Sequence, residues 1–404
     1  MRTLLALLLI AITGCGGDSS PPGEGAVPTP KSSQGKTDKP PAKATAADAA
    51  LKNLGAEIER NEQGEIVKVN LIGTNAGLEH LKGLANLKTL FLADTQVTAA
   101  ELEHLKGMTN LQTLYLAETQ ITDAGLVHLK GLTKLEYLNL GRTKITDAGL
   151  EHLKGLSKLQ ALYLWSTEIT DTGLLHLKGL TKLKELDLYG TKVTDAGLVH
   201  LKGMQLAELK FPDDAKTDLG LKHYLAALET HTRISLENWR ITGAGLVHLK
   251  ELTKLQRLKL GGTSITDAEL VHLKGMQLTE LTIPKDAKTD LGLKHYLAAL
   301  ETHPVLNLGE WRITGDGLVH LKGLTKLQDL NLAQTKITDA GLEHLKGLSK
   351  LQELHLESTE ITDTGLLHLK GLTKLQRLKL GGTKITDAGV AELQKALPNC
   401  KISK

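Results

Sequence analysis

The chain has 404 residues, of which 41% are hydrophobic and only 3% aromatic, and its formal net charge is +3. This length suffices for two or three ordinary domain cores. Lysine and arginine are nearly balanced by acidic residues along the chain, which argues against a nucleic-acid-binding protein.

The N-terminus reads MRTLLALLLIAITGCGG, with an apolar run from Leu4 to Ile12 that ends shortly before Cys15. A membrane span needs about 20 residues, so this shorter run predicts a secretory signal peptide over residues 1–14. The small residues before the cysteine resemble the lipoprotein box of bacterial lipoproteins. That resemblance implies cleavage before Cys15, lipidation of its thiol and a lipid anchor in the bacterial cell envelope, periplasmic or surface-exposed. The alternative is an ordinary signal peptide that contains a cysteine.

Residues 15–47 are rich in Pro, Gly, Ser, Thr, Lys and Ala and contain almost no bulky apolar residue. Such a segment cannot bury enough surface to offset its ordering entropy, and we expect a disordered tether. The next segment, residues 48–65, is predicted to form a helix, a strand and a turn that cap the first edge of a sheet. Cys400, the second of two cysteines, is expected to be a small buried residue that closes the other end.

A period of 24 residues governs the rest of the chain, as in LQTLYLAETQITDAGLVHLKGLTK from Leu111 and LEYLNLGRTKITDAGLEHLKGLSK from Leu135. About fourteen such repeats fill residues 66–404, including the C-terminal cap, and indicate one solenoid rather than several domains. In each repeat apolar residues first alternate and then recur at helical spacing, which predicts a short strand followed by a short helix. Parallel strands stack about 4.8 Å apart and helices about 10 Å apart, so the stack curves with its strands on the concave side.

The pattern LxxLxLxxTxITDxGLxxLxxL resembles the leucine-rich repeat family and covers Ile66 to Ile402. The resemblance implies an α/β fold, a right-handed horseshoe with a parallel sheet on its concave face and short helices on its convex face. Thr119, Thr143 and Thr167 stand where family members commonly place Asn or Cys. We expect each hydroxyl to bond the backbone of the neighbouring turn. Asp123 or Thr122 is expected to cap the start of its helix, and the Asp of each ITD motif recurs at this capping position, in a structural role.

Two turns depart from the pattern, LAELKFPDDAKTDLGLKHYLAALETH from Leu206 and LTELTIPKDAKTDLGLKHYLAALETH from Leu278. Each carries a proline after the strand and then a longer predicted helix. The sequences that follow them are also alike, which indicates a segmental duplication.

Histidine recurs as HLK in eleven turns, the only pattern that suggests a metal. Each of these residues lies on a different predicted helix, and helices about 10 Å apart cannot bring their imidazoles to one ion. No phosphate loop, HExxH motif or nucleophile elbow is present. We therefore expect no enzyme, no metal and no cofactor.

The aromatic residues are few, two Phe, three Trp and six Tyr, yet six of them fall at concave positions of five consecutive turns. Residues two, four and six after the first leucine of a repeat face the concave side, because side chains alternate along a strand. Exposed aromatic patches often mark binding sites. A small residue, Gly141, is expected to leave a shallow cleft between the rings, with polar groups at its floor. The predicted ligand-binding residues are Phe91, Tyr115, Tyr137, Asn139, Arg142, Tyr163, Trp165 and Tyr189.

Three interpretations follow for function. The favoured one is a monomeric, non-enzymatic scaffold of the cell envelope that binds a protein or peptide through its concave face, as the family resemblance implies; a glycan would also suit rings beside polar groups. The second is a structural spacer or a self-associating scaffold, in which the rings only stack along the sheet. An enzyme or metal-dependent protein rests on the histidines alone.

Overall fold

The computed structural model describes residues 46–404 except 75, 76, 230, 302 and 303. The predicted signal peptide, Cys15 and residues 15–45 of the predicted tether lie outside the described residues. Those described fall within one compact unit. None of their helices combines the length and the apolar character needed to cross a membrane.

Short strands recur once per repeat, most of them three residues long. Their bounds are β1 Glu57–Arg60, β2 Ile66–Asn70, β3 Thr89–Phe91, β4 Thr113–Tyr115, β5 Tyr137–Asn139, β6 Ala161–Tyr163, β7 Glu185–Asp187, β8 Glu208–Lys210, β9 Arg233–Ser235, β10 Arg257–Lys259, β11 Glu280–Thr282, β12 Val305–Asn307, β13 Asp329–Asn331, β14 Glu353–His355, β15 Arg377–Lys379 and β16 Lys401–Ser403.

Helical segments alternate with these strands. The α-helices are α1 Ala46–Asn53, α2 Asp123–Leu126, α3 Asp147–Leu150, α4 Asp218–Ala227, α5 Gly243–Leu246, α6 Asp290–Ala299, α7 Asp363–Leu366 and α8 Asp387–Ala396. Tighter 3₁₀ turns make up the rest, at Leu78–Leu81, Glu101–Leu105, Val127–Leu129, Glu151–Leu153, Gly173–Leu177, Gly197–Leu201, Asp213–Ala215, Val247–Leu249, Glu269–Leu273, Lys285–Ala287, Asp316–Leu321, Asp339–Leu345 and Leu367–Leu369.

Within each of three sheets, β2 to β8, β9 to β11 and β12 to β16, every strand pairs in parallel with the strand of the next repeat, which confirms the predicted solenoid. Among the described strands, one antiparallel pair occurs, between β1 and β2, where β1 covers the first edge of the sheet. Helix α1 precedes this pair and begins at Ala46, two residues before the predicted boundary. Arg60 on β1 donates a hydrogen bond to Asp48 and ties the helix to the strand.

The leucines of the repeat form one continuous core. Leu114 and Leu116 on the strand side and Leu126 and Leu129 on the helical side are fully buried. Burying a leucine stabilises the fold by about 2 kcal/mol, and these positions recur in every regular turn. At the C-terminal end Cys400 is buried as a free thiol, as the sequence predicts, and burial raises its pKa.

The threonine that recurs in each regular repeat makes a different hydrogen bond from the one predicted. The hydroxyl of Thr119 donates to the carbonyl of Leu116, 2.7 Å away in its own turn, and Thr143 bonds Leu140 in the same way at 2.6 Å. The expectation of a bond to the neighbouring turn is wrong, because the hydroxyl is too short to leave the turn in which it is buried. It bonds the carbonyl of the residue that follows the strand instead.

The aspartates of the ITD motif connect one turn to the next. Asp123 accepts hydrogen bonds from the backbone N–H of Thr146 at 2.8 Å and from its hydroxyl at 2.6 Å. The same pair of bonds joins Asp147 to Thr170 in the following turn. Their role is structural, as predicted, but they act between repeats. The threonine before the aspartate caps the helix instead, as at Thr146 and Thr362.

This connection explains the glycine of the motif. A Cβ built on Gly149 would lie 2.4 Å from Oδ1 of Asp123, so only glycine leaves room for the carboxylate. One junction inverts the arrangement: Gly243 replaces the aspartate and Glu269 replaces the next glycine. The Glu269 carboxylate then accepts from the N–H of Gly243 at 2.9 Å and from the N–H of Thr266 at 2.8 Å.

The sheet is interrupted twice, between β8 and β9 and between β11 and β12. Both interruptions fall at the two irregular turns, where Pro212 or Pro284 follows the strand and the ten-residue helix α4 or α6 replaces the short helical turn. Proline has no N–H to donate to a ladder, and the longer helix changes the path of the turn. A single bridge pair, Leu206 with Leu228 or Leu278 with Leu300, replaces the ladder.

Candidate functional site

The concave face carries the predicted residues in three rows that run across the strands. Phe91, Tyr115, Asn139 and Tyr163 lie opposite one another in register from β3 to β6. Tyr137 lies one row to one side, in register with Ala161 and Glu185. Trp165 and Tyr189 follow β6 and β7 on the other side. The structure thus brings the predicted rings onto one face, which we call the aromatic face, formed by β3 to β7.

The rings of Phe91 and Tyr115 touch at the start of this face. Their centroids lie 4.9 Å apart at an interplanar angle of 37°, a tilted stacking geometry. The Lys68 ammonium lies 5.9 Å from the Phe91 centroid. Burial raises the pKa of Tyr115, and the neighbouring Tyr137 and Glu185 raise it further. The phenol is therefore a neutral hydrogen-bonding group at physiological pH.

The cleft predicted at Gly141 is filled. The indole of Trp165 covers this glycine so closely that a Cβ there would lie 2.2 Å from Cε2 of the ring. Asn139 beneath it is buried, and its Oδ1 accepts from the N–H of Gly141 at 2.9 Å. The prediction of an open cleft with a polar floor is wrong. The indole of Trp165 packs directly on Gly141, and the amide oxygen of Asn139 already accepts a hydrogen bond from the backbone.

Arg142 stands beside the indole and is exposed. Its guanidinium carbon lies 5.6 Å from the ring centroid of Trp165, within the range of a cation–π contact. Its Nη1 lies 3.6 Å from Oε2 of Glu118 in the preceding turn. The guanidinium therefore lies over the indole and is held there between Trp165 and Glu118.

Tyr163 connects the rings to a group of carboxylates. Its hydroxyl donates to Oε2 of Glu185 at 2.6 Å. Burial, and then the bond to Glu185 and its charge, raise the pKa of Tyr163 far above its usual range. The phenol stays protonated and fixes the position of the Glu185 carboxylate.

Acidic residues border the aromatic face on β7 and β8. Asp187 is half-buried, and this burial raises its pKa, with Glu208 contributing in the same direction. Its Oδ1 accepts from the N–H of Tyr189 at 2.9 Å. Lys210 lies 3.0 Å from Glu208, and that hydrogen bond raises the pKa of the lysine. Glu185, Asp187 and Glu208 give this edge of the face a negative character that Lys210 balances only in part.

The remaining aromatic residues belong to the core of the irregular turns. Phe211, Tyr224 and Trp239 pack against one another with centroid distances from 5.4 to 5.6 Å. In the second copy Ile283 replaces the phenylalanine, and Tyr296 packs on Trp311 at 5.1 Å. These rings stabilise the irregular turns and take no part in the aromatic face.

A second polar cluster on the concave side was not predicted from the sequence. Asp329, Glu353 and His355 are the one described set of three carboxylate or imidazole residues whose ligand atoms all lie within 4.8 Å of one another. The HLK histidines take no part in it. The sequence contained a signal for this cluster. Asp329 and Glu353 are one 24-residue period apart, and His355 lies two residues after Glu353, on the same face of the strand.

Comparison with known families identifies the repeats. The family described as Leucine rich repeat matches residues 85–145 and 109–169, and a second model of the same description matches residues 179–201, 323–346, 347–369 and 371–393. These matches agree with the parallel ladder and the leucine core described above. The chain is a leucine-rich repeat protein. Leucine-rich repeat proteins generally mediate protein–protein interactions, bind protein or peptide partners and typically have no enzymatic activity.

Among solved structures, this leucine-rich repeat chain is similar to an internalin of Listeria monocytogenes, with 23% identity over 88% of this chain and 92% of that one and a TM-score of 0.37. A leucine-rich repeat protein of Leptospira interrogans shares 20% identity over 89% and 99% of the two chains, with a TM-score of 0.46. A plant peptide hormone receptor, in complex with RGF2, shares 14% identity over 82% and 68%, with a TM-score of 0.36. The comparison with curated proteins gives no match.

Proposed function

We propose that this leucine-rich repeat protein is a non-enzymatic binding module of the bacterial cell envelope, tethered through a lipid on Cys15, whose aromatic face holds a protein or peptide segment. The observation that carries the proposal is the concentration of rings on β3 to β7. At the equivalent position of later strands the chain has Lys259, Thr282, Asn331, His355 and Lys379, so the scaffold itself does not require aromatic residues there.

The charges beside the rings favour a basic partner segment. Glu185 and Asp187 lie on β7, next to Tyr163, and Asp187 carries the energetic cost of a half-buried carboxylate. A lysine or arginine of the partner would offset this cost and would at the same time pack on aromatic rings. Because Trp165 fills the site of the predicted cleft, a flat peptide contact fits this face better than a sugar.

A selection from a random peptide library, with the full chain as bait, tests this proposal. We expect enriched peptides to carry Lys or Arg next to an apolar residue. Their affinity should fall at least tenfold in the double variant Tyr163→Ala, Trp165→Ala, since interface aromatic residues often contribute 2 kcal/mol or more.

The matched control is the double variant Lys259→Ala, Asn331→Ala, which changes the same row of the concave side outside the aromatic face. Both of its residues occupy the strand position equivalent to Tyr163, and it should bind the selected peptides as the wild type does. Equal loss in both double variants, or enrichment of acidic peptides, would count against the aromatic face as a basic-peptide site.

The lipid anchor requires a separate test. Expression of the full chain in a bacterium should give a mature protein whose N-terminal residue is Cys15, with a mass increase from its acyl chains. Cys15→Ser should abolish both the mass increase and fractionation with membranes. A serine variant that still fractionates with membranes would contradict the anchor.

A second candidate function, self-association, has one observation in its favour. An apolar residue is exposed at the same position of the helical segment in seven turns, namely Val127, Leu175, Val199, Val247, Val271, Val319 and Leu367. Other turns place glutamate there, as at Glu151 and Glu343. Light scattering of the wild type beside Val247→Glu, Val271→Glu separates the two functions. A wild type that stays monomeric at high concentration would exclude self-association. A wild-type oligomer that dissociates in the glutamate variant would support it.

A further inference from the structure

Three side chains that metals favour converge on the concave side of β13 and β14. Asp329 and Glu353 face each other as register partners of neighbouring parallel strands. His355 lies two residues after Glu353 and therefore on the same face of β14. Nε2 of His355 is 3.9 Å from Oε2 of Glu353, and one ligand atom from each residue lies within 4.8 Å of the other two.

The imidazole of His355 lacks a protein partner at the nitrogen that faces the carboxylates. Nε2 is shielded from solvent, and no described residue makes a hydrogen bond to it. Leaving a buried polar atom without a partner is energetically unfavourable, so such atoms usually have a bound water or ion. Oε2 of Glu357, two residues after His355, is also buried without a hydrogen-bond partner among the described residues.

We propose that Asp329, Glu353 and His355 bind one Zn²⁺ ion. Zinc takes imidazole nitrogen and carboxylate oxygen at about 2 Å, which requires ligand atoms roughly 3.3 Å apart. The present separations of up to 4.8 Å need side-chain adjustments of about 1 Å for this geometry. Three protein ligands leave a fourth position open to water or to a donor atom of a bound partner.

Arg377 sets both the geometry and the strength of this site. Its guanidinium contacts Oε1 of Glu353, which leaves Oε2 directed toward His355. Lys379, the register partner of His355, lies 3.9 Å from Glu357. The positive charges of Arg377 and Lys379 repel a Zn²⁺ ion bound nearby and so weaken its binding. Removal of the guanidinium should therefore strengthen Zn²⁺ binding, whereas in a cluster that is only an ion-pair network the same change would merely loosen Glu353.

The test is titration of the full metal-free chain with Zn²⁺, followed by Co²⁺ absorption of the same samples. We expect one site per chain that is at least tenfold tighter than any other and whose Co²⁺ spectrum shows imidazole and carboxylate ligation. His355→Ala and Asp329→Asn should each weaken this site at least tenfold. Arg377→Gln should tighten it severalfold.

The matched control is His344→Ala, because His344 belongs to the HLK series and can chelate metal on the surface. This variant should retain the tight site and its spectrum. Circular dichroism establishes that each variant is folded, and Zn²⁺ should raise the melting temperature of the wild type and not that of His355→Ala. Equal affinity in wild type and His355→Ala, or weaker binding in Arg377→Gln, would overturn the proposal.

Discussion

The aromatic face and the charged concave surface of β10 to β15 are built from the same repeat. Leu138 and Leu354 are equally buried in the two regions, and Thr143 and Thr359 make the same bond to a carbonyl three residues back. Between the regular turns of the two regions the concave side chains differ, with rings in one region and Lys, Asn, His and Glu in the other. The repeat therefore constrains its inward positions and leaves its concave positions open to function.

The largest effect should come from glycines of the irregular turns, Gly220 in α4 between the two regions and Gly292 in α6 within the second. A Cβ on Gly220 would lie 1.8 Å from the carbonyl oxygen of Ala215, and one on Gly292 would lie 1.8 Å from that of Ala287. Overpacking against backbone cannot be relieved by a rotamer change, so alanine at either position should cost about 3 kcal/mol. Urea denaturation followed by circular dichroism measures this loss.

Gly131→Ala is the control for that experiment, because nothing lies within 4 Å of a Cβ there. It should leave the urea midpoint unchanged. If the Gly220 variant were equally stable, the irregular turns would not be as tightly packed as the structure has them.

The next effect concerns the junction shared by both regions. Gly149→Glu alone should destabilise the fold by about 2 kcal/mol, because its side chain meets Asp123. Asp123→Gly added to it reproduces the natural pair Gly243 and Glu269, and the double variant should recover most of the loss. A thermal denaturation series of the two single variants and the double variant gives the coupling energy. Additive losses would show that glutamate cannot replace the aspartate in this junction.

A smaller effect has opposite signs for two aspartates. Burial raises the pKa of Asp147, but hydrogen bonds from Thr170 and Thr172 outweigh it and leave the pKa lowered, whereas burial leaves that of Asp187 raised. The contribution of Asp147 is present above about pH 4, the unfolded value, and is lost as pH falls through its lowered folded pKa. That of Asp187 is present below about pH 4 and is lost as pH rises through its raised folded pKa.

At pH 7, Asp147→Asn should therefore destabilise the protein by about 1.5 kcal/mol, the lower end of the range for a hydrogen bond to a charged group. Asp187→Asn should stabilise it slightly and at the same time weaken binding of basic peptides. Urea midpoints at pH 7 and pH 3 measure both effects, which should shrink at the lower pH. Destabilisation by Asp187→Asn at pH 7 would mean that this carboxylate serves the fold.

The smallest effect should be equal in both regions. Ser166 and Ser358 adopt left-handed backbone conformations with φ of 53° and 55°, at a position where Gly190 and Gly382 stand in the following turns. Glycine relieves the strain at some cost in unfolded-state entropy, so each Ser→Gly change should stabilise by roughly 0.5 kcal/mol. Differential scanning calorimetry resolves this shift. Unequal shifts would show that the two regions differ in their scaffold after all.

The period of 24 residues was sufficient to predict the parallel ladder, the buried leucines and the concave direction of Tyr163 and Trp165. The period was insufficient to predict the conformation of a side chain that can adopt several rotamers. Register places Trp165 beside Gly141, but only the packing of the indole decides whether a cleft remains. The bond of Thr119 to its own turn depends in the same way on the reach of a buried hydroxyl.

The connection between Asp123 and Gly149 lay within reach of the sequence, since Gly243 and Glu269 exchange the two roles one period apart. The cluster of Asp329, Glu353 and His355 was equally visible once concave positions are aligned by repeat. What the sequence could not supply is the unpartnered nitrogen of His355, because its surroundings come from three strands at once.

Fluorescence quenching of Trp165 by acrylamide, with and without a selected basic peptide, tests most directly whether the aromatic face is the binding surface. Trp239 and Trp311 are only 7% and 5% exposed, so Trp165 should dominate the quenching. We expect the peptide to reduce quenching in the wild type and to leave the weak quenching of Trp165→Phe unchanged. A peptide that binds at full occupancy without protecting Trp165 would contradict the central claim that this face holds the partner.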